Sequence, residues 1–381
     1  MRLKKLTFTE YAGTAQEWTI DGFVLGQRNL LVGRNASGKT RSLNIINGLA
    51  HYLSGLKSPG LASTYEVIFQ ADGKTIEYIL EMGEQSVLRE VVKVDGTLLL
   101  DRREGGIGLI WAEKIGVGQM IPFQAPPSDV AAVTRRDAVQ HSFLEPLHAW
   151  ASSTRFYQFS TPMGKDKLTL LVPNAPQVDD RDQSATTGVF RKGDKEFGKD
   201  FVNGVITDMG KIGYHLTEIG VGLPVSVKFL DAPGEPLGIF VKESDHPSIV
   251  DQFSMSTGMY RVLALLIHVN YFERKKSASC VLVDDIGEGI DFSRSCRLVH
   301  LLREKAEKFD IQLVMSTNDK FVMNEVPLEE WSIMERDANH VHVRNYENSK
   351  DVMDDFKFTG LGNFAFLEMD VINEPYEHDG R

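Results

Sequence analysis

Cysteine is scarce: Cys280 and Cys296 are the only two in 381 residues. They lack the paired spacing of a zinc site and are too few for a disulfide framework, so both are expected as reduced thiols in apolar surroundings. Long apolar runs are also missing. The longest, such as Val262–Ile267, have the length of a core-helix segment and not of a membrane span. The basic start, Met1-Arg2-Leu3-Lys4-Lys5, is not followed by the apolar core of a signal peptide. These absences predict a cytoplasmic protein with no membrane partner. There is no excess of positive charge either: 42 Lys and Arg against 53 Asp and Glu leave a formal net charge of −11. That balance excludes a protein that coats nucleic acid through its overall field, although local contact with nucleic acid stays open. The basic clusters Arg102-Arg103, Arg135-Arg136, Arg191–Lys199 and Arg274-Lys275-Lys276 read as solvated loops diluted by nearby acids. Internal repeats and sustained heptads are lacking, which excludes a solenoid and a long coiled-coil arm.

What remains is the composition of a globular protein, 25% charged and 42% hydrophobic, in a chain long enough for one large or two ordinary domains. The first hundred residues read mainly as strands. Leu3–Phe8, Glu17–Ile20, Thr64–Gln70, Thr75–Met82 and Gly96–Leu100 alternate or are β-branched. Asn29–Val32 is a short apolar run ending in a glycine loop, and Arg41–Leu56 behind it has helical spacing. The middle is mixed: a Pro-rich loop at Pro122–Pro127, a helical stretch from Asp129 to Ala151, and a polar loop from Pro173 to Thr187. Strands are expected there at Gly213–Ile219, Val225–Leu230 and Leu237–Val241.

After Asp251, strand and helix alternate. Met259–Tyr271 is apolar all round and reads as a buried helix, and Ser279–Val283 as a strand covered on both faces. Ser293–Lys308 reads as a helix, with strands at Ile311–Ser316, Trp331–Glu335 and His340–Arg344. This order predicts one α/β core built from both ends of the chain. The expected boundaries are residues 1–110 and 252–345 for the core, 111–251 for an inserted mixed α/β lobe, and 346–381 for a C-terminal helix and acidic tail.

Three segments carry chemistry. Gly33-Arg34-Asn35-Ala36-Ser37-Gly38-Lys39-Thr40 fits the phosphate-binding pattern G-x-x-x-x-G-K-[ST]. Its glycines let backbone N–H groups turn inward at a helix N-terminus, Lys39 supplies a charge to phosphates, and the Thr40 hydroxyl can ligate magnesium. Val281-Leu282-Val283-Asp284-Asp285 ends a buried strand with a carboxylate, which is costly unless it meets a cation; magnesium is the natural partner of Asp284. Ser256-Thr257-Gly258 opens the buried helix with a small-polar pair and leaves free N–H groups that favour an anion.

Together these segments resemble the ABC ATPases. Ser256-Thr257-Gly258 looks like their signature loop and stands in the family's order, between an inserted lobe and the acidic strand. The G-x-N-x-S-G-K form of the phosphate loop, and the run Asp284-Asp285-Ile286-Gly287-Glu288-Gly289-Ile290-Asp291, resemble the SMC, RecF and OLD branch. Leu313–Asp319 resembles that branch's last strand and switch. The resemblance covers the two ends of the chain and implies an ABC ATPase head: a P-loop sheet with an antiparallel β part and an inserted lobe. It further implies ATP and magnesium as ligands and a head-to-tail dimer, in which each signature loop closes on the phosphate held by the other subunit. Two residues depart from the pattern. Asp285 stands where the water-orienting Glu is usual, and Asn318 where the switch histidine is usual. Slow hydrolysis is therefore expected, with Glu288 as a substitute base. Gln158, after a strand, is the first choice for the family's glutamine loop and Gln124 the second.

The first functional expectation is an ATP-gated sensor or scaffold in a bacterial anti-phage defence complex, acting with a separately encoded effector protein. The second is a RecF- or SMC-like ATPase of DNA repair or chromosome maintenance that binds DNA directly. An OLD-type nuclease is not expected, because roughly 35 residues after Arg344 are fewer than a further domain needs. Crowding and charge at the signature loop, as in Gly258→Glu, are expected to block dimer closure while sparing ATP binding.

Overall fold

A computed structural model describes residues 1–115, 117–171, 178–227 and 234–369. Residues 173–177 of the expected polar loop, 228–230 of the expected strand Val225–Leu230, and the acidic tail from 370 lie outside the described residues. The chain opens with β1 (Arg2–Glu10), β2 (Trp18–Val24), β3 (Arg28–Val32), α1 (Lys39–Leu53), β4 (Ser63–Ala71), β5 (Lys74–Met82), β6 (Val87–Val94) and β7 (Thr97–Arg102). It continues through β8 (Ile107–Ala112), β9 (Gln119–Gln124), α2 (Ala131–Thr134), α3 (Glu145–Ser153), β10 (Thr154–Gln158), β11 (Thr169–Leu171), α4 (Thr186–Phe197) and α5 (Lys199–Ile212). Next come β12 (Leu216–Gly222), β13 (Glu235–Glu243), β14 (Val250–Asp251), α6 (Thr257–Lys275), β15 (Cys280–Asp284), α7 (Phe292–Lys308), β16 (Gln312–Ser316) and α8 (Lys320–Glu325). The described chain closes with β17 (Trp331–Asp337), β18 (His340–Asn345), α9 (Lys350–Lys357) and α10 (Asn363–Glu368).

Two compact units divide these elements. One runs from Met1 to Thr154 and resumes at Val326; the other is Arg155–Glu325. The cuts fall elsewhere than the expected lobe limits of 111 and 251.

In the first unit one mixed sheet runs in the order β3-β17-β18-β2-β1-β4-β5-β6-β7-β8-β9. Its parallel pairs, β3 with β17 and β2 with β18, join the start of the chain to a segment some three hundred positions later. The remaining strands form an antiparallel meander from β1 to β9. Leu3 and Leu6 would face opposite ways in a regular strand; a register shift between Leu3 and Lys5 lets both be buried. The expected loop at Pro122–Pro127 begins instead within β9. Pro122 is tolerated there because β9 pairs only with β8 on this sheet path and needs no second row of donors. The helix expected over Asp129–Ala151 is broken into α2 and α3, because the Asp137 carboxylate accepts from the N–H groups of Val139 and Gln140 and forms a turn.

The second unit places β10, β15 and β16 in order, with β15 and β16 parallel, beside a smaller sheet of β11-β13-β12 with β14 on β13. All five residues of β15 and of β16 are buried, as expected for strands covered on both faces. Helix α6 is buried along Val262–Phe272 without a break. Arg191–Lys199, read as a solvated loop, lies in α4 and the start of α5. Val225–Val227 forms no strand. Among the described residues no helix is long and apolar enough to cross a membrane.

Candidate functional site

In the first unit, buried strand β3 delivers the chain to Gly33, and the loop Gly33–Gly38 leads directly into α1. The turn needs its glycines. A Cβ on Gly33 would come within 2.6 Å of the Met334 carbonyl oxygen, and Gly38 has φ +104, a left-handed conformation that other residues rarely adopt. Gly38 carries no side chain to cap α1, so the first N–H groups of that helix keep their preference for an anion. Lys39 is buried at 6% exposure, its Nζ donating to the carbonyls of Gly33 (2.8 Å) and Arg34 (3.1 Å). The ammonium is thus folded back onto the carbonyls of its own loop. Ser37 Oγ is buried with no hydrogen bond, as befits a loop shaped around a polar ligand. Arg34, Asn35, Ala36 and Thr40 are exposed. The loop forms one wall of a cavity of about 530 Å³ whose other lining includes Ile333–Asp337 on β17, Ala338 just after it, His342 on β18, and Phe366 on α10.

The cavity wall carries both signs of charge, Arg34 and Arg336 beside Glu335 and Asp337. The Arg41 guanidinium stacks over Trp18 with 4.1 Å to the ring centroid and pairs with Glu10. Burial, and then repulsion from Arg336, lower the affinity of Arg41 for its proton. Arg336 itself donates to the carbonyl of Ala338 (2.7 Å) and, at 3.4 Å, to that of Ala36 in the loop.

In the second unit the ends of β15 and β16 form a separate cluster. Asp284 is 1% exposed, and its Oδ1 accepts from Ser316 Oγ at 2.6 Å. The same Ser316 oxygen accepts from the Asp285 N–H at 2.9 Å, so one hydroxyl fixes both aspartates. Asp285 has φ +52, and Asn318 Nδ2 donates to its Oδ1 at 3.4 Å. The two departures from the family pattern are therefore neighbours. Thr317 Oγ1 donates to the Ile286 carbonyl, and the Ile286 N–H to the Ser316 carbonyl, which locks the strand ends together. Gln158 ends β10, and the N–H of the next residue, Phe159, donates to the Asp284 carbonyl at 3.0 Å. The Gln158 N–H is itself held by the Gln183 side chain at 2.7 Å. Gln124 ends the edge strand β9 in the other unit.

At the start of α6, Ser256 Oγ accepts from the Met259 N–H and caps the helix. Ser256 and Thr257 are exposed, whereas Gly258 is buried against the loop that follows β15. A Cβ on Gly258 would meet the Gly289 carbonyl oxygen at 2.3 Å. Arg261 ties the same loop down, donating to the carbonyls of Glu288 (3.1 Å) and Thr161 (3.1 Å). Gly258→Glu, expected to act on dimer closure alone, is therefore unsuitable: any side chain there displaces Gly289 within the subunit. The Glu288 side chain is exposed, and its backbone is what the structure ties down.

Each unit thus gathers its own candidates: Gly33–Thr40 in the first, and Asp284, Asp285 and Asn318, with the 256–258 loop packed on 287–291, in the second. Sequence reasoning missed Ser316, Arg261, Trp18, Arg41 and Arg336. Ser316 left a signal, a hydroxyl closing the buried run Gln312–Ser316, and the others left none until the sheet brought them to the loops.

The head domain of an SMC protein bound to the C-terminal winged-helix domain of ScpA superposes with a TM-score of 0.52 at 13% identity, over 92% of this chain and all of that one. The SMC head domain with an extended coiled coil derived from Pyrococcus furiosus, bound to the C-terminal domain of ScpA, gives 0.50 at 11%, over 93% and 99%. The fold is that of an SMC head. No family model matches the sequence, and no curated protein does. The SMC-head fold agrees with the expected ABC ATPase head in being α/β with a large mixed sheet that has an antiparallel part.

Proposed function

We propose that this chain is an ABC-type ATPase that binds ATP with magnesium at Gly33–Thr40 and hydrolyses it slowly. The observation that carries the reading is the loop itself: a buried Lys39 folded into a glycine turn at an uncapped helix start, beside a cavity of about 530 Å³. Its backbone N–H groups and Lys39 would hold the phosphates. The Thr40 hydroxyl and the Asp284 carboxylate would be the protein's magnesium ligands; the ion would supply neutralisation of phosphate charge. Asp284 suits that role as a buried strand-end carboxylate oriented by Ser316. Asp285 would orient water, steadied by Asn318, with Glu288 as the alternative base.

Ser256, Thr257 and Gly258 would close on the phosphate of a second copy in a head-to-tail dimer, which the capped, exposed start of α6 supports. Gln158 is proposed as the glutamine-loop residue, since it adjoins the segment bonded to the Asp284 main chain. Within the whole protein, residues 111–251 are proposed as an inserted lobe.

The biological reading we favour is a sensor or scaffold of an anti-phage complex with a separate effector, resting on the head without coiled-coil sequence. A RecF- or SMC-like role in DNA maintenance, with DNA bound directly, is the second reading; a partner protein fits either, and the two solved SMC heads are each bound to a domain of ScpA. DNA titration at two salt concentrations separates them, because phosphate contacts give a steep salt dependence.

The nucleotide site is tested with Lys39→Ala. Labelled ATP should bind the parent and fail to bind the variant by at least about a hundredfold, with melting temperature little changed. Equal affinity in the two proteins removes Lys39 from the site and sinks the reading.

A further inference from the structure

A second cluster of chemistry-bearing side chains sits on the sheet of the first unit. Strands β2 and β18 pair in parallel with His340 opposite Thr19 and His342 opposite Asp21. His340 Nε2 lies 3.1 Å from Asp21 Oδ2, and His342 Nδ1 lies 3.3 Å from Asp21 Oδ1. The two imidazoles are stacked with centroids 4.1 Å apart and planes 43° from parallel. One ligand atom from each of the three residues falls within 4.8 Å of the other two.

We propose that Asp21, His340 and His342 form a binding site for a divalent transition metal, zinc in the first instance. Two arguments carry it. Each ring faces a different oxygen of the same carboxylate, and one ligand atom from each residue falls within 4.8 Å of the others, so modest side-chain rotation brings them to the separation of about 3.3 Å that a tetrahedral ion with bonds of about 2.0–2.1 Å requires. Two nitrogens with one carboxylate are a donor set that suits zinc and disfavours magnesium or calcium.

Placement supports the donor set. Alternate residues of β18 share a face, so His340 and His342 project together, with Asp337 and Glu335 paired opposite them on β17. That face therefore carries three carboxylates to two imidazoles and attracts a cation. Glu335 is partly balanced by Arg344 at 2.8 Å. The three ligands are 38–54% exposed at their side chains, open enough for an ion to enter and to keep a water or anion as a fourth ligand. His342 also lines the cavity beside Gly33–Ser37. The proposal does not rest on the nucleotide reading and is tested without nucleotide.

The full chain, stripped with chelator, is titrated with zinc chloride at pH 7.5 by calorimetry and by competition with a chromophoric chelator. Cobalt(II) is added in a parallel experiment. One equivalent should bind in the parent, with the intense visible cobalt bands of four- or five-coordination. His340→Ala/His342→Ala should lose that equivalent by at least about a hundredfold and lose the bands. Asp21→Asn should weaken binding by about tenfold or more. Cys296→Ser and His300→Ala, which lie in the other unit, should match the parent. Far-UV circular dichroism of the metal-free proteins establishes that the variants fold. Absence of saturable zinc binding by the parent overturns the proposal, as does equal binding by the double-histidine variant or a weak six-coordinate cobalt spectrum.

Discussion

Asp285 shows how a single backbone angle bears on chemistry. Its φ of +52 is left-handed, a region that Asp and Asn enter far more readily than longer side chains. The local turn thus supplies a reason for Asp where the resembled family has Glu. Two opposed effects follow for Asp285→Glu. The longer side chain reaches one methylene further toward the water a base would orient, while strain lowers stability by about 1 kcal/mol. We expect ATP turnover to rise about tenfold or more in Asp285→Glu, further with Asn318→His, and the unfolding midpoint to fall. Steady-state phosphate release reads the first and urea unfolding the second. Turnover in both variants no faster than in an already rapid parent would mean that neither residue is a brake. Asp284, Asp285 and Asn318 could be picked out in the sequence because each closes a recognisable run. The Ser316 hydroxyl that joins the two aspartates could not, since the hydrogen bond depends on β15 and β16 being parallel neighbours.

Helices and strands were legible to the extent that one periodicity governed them. Helix α6 was plain because it is apolar all round, and β15 and β16 because they are continuous apolar runs. Helices α4 and α5 were hidden by glycines and by charges on their exposed faces; Gly193 is needed because Phe201 packs where its side chain would be, 2.6 Å from the ring. Edge strand β9 was hidden by its proline. Buried α6 also carries a titratable group no periodicity discloses. His268 is 1% exposed with Tyr157 edge-on at 5.3 Å, and burial pushes its pKa down from 6.5 to about 4. The folded protein holds this ring neutral while the unfolded chain protonates it near pH 6.5. The associated stability is complete above about pH 6.5 and declines as pH falls toward 4. Between pH 7.5 and 5 this amounts to about 2 kcal/mol. Urea midpoints at the two pH values should show the decline in the parent and a shallower one in His268→Phe. Identical slopes would assign the acid sensitivity to other groups.

At the scale of the whole molecule, assembly is the open question the geometry sharpens. Thr257 is exposed where Gly258 is not, so Thr257→Glu adds charge at the start of α6 without meeting Gly289. Magnesium and ATP should favour a dimer of the parent over ADP, since only differential binding can shift association. Thr257→Glu should remain monomeric with nucleotide affinity within about threefold of the parent. Light scattering with ATP, ADP and neither decides it, and a mass indifferent to nucleotide contradicts ATP-driven assembly. Pairs β3 with β17 and β2 with β18 join the start of the chain to residues 331–345 within one unit. The order in which those strands are made has a consequence in time. Arg336 reaches the Gly33–Gly38 loop from 300 positions downstream of Ala36. At about 5–20 residues per second, the ribosome spends roughly 15–60 s between making the loop and making the strand that walls it. Throughout that interval β3 lacks its partner β17, so until residues 331–345 have been synthesised the early strands depend on chaperones or on their own hairpins for protection.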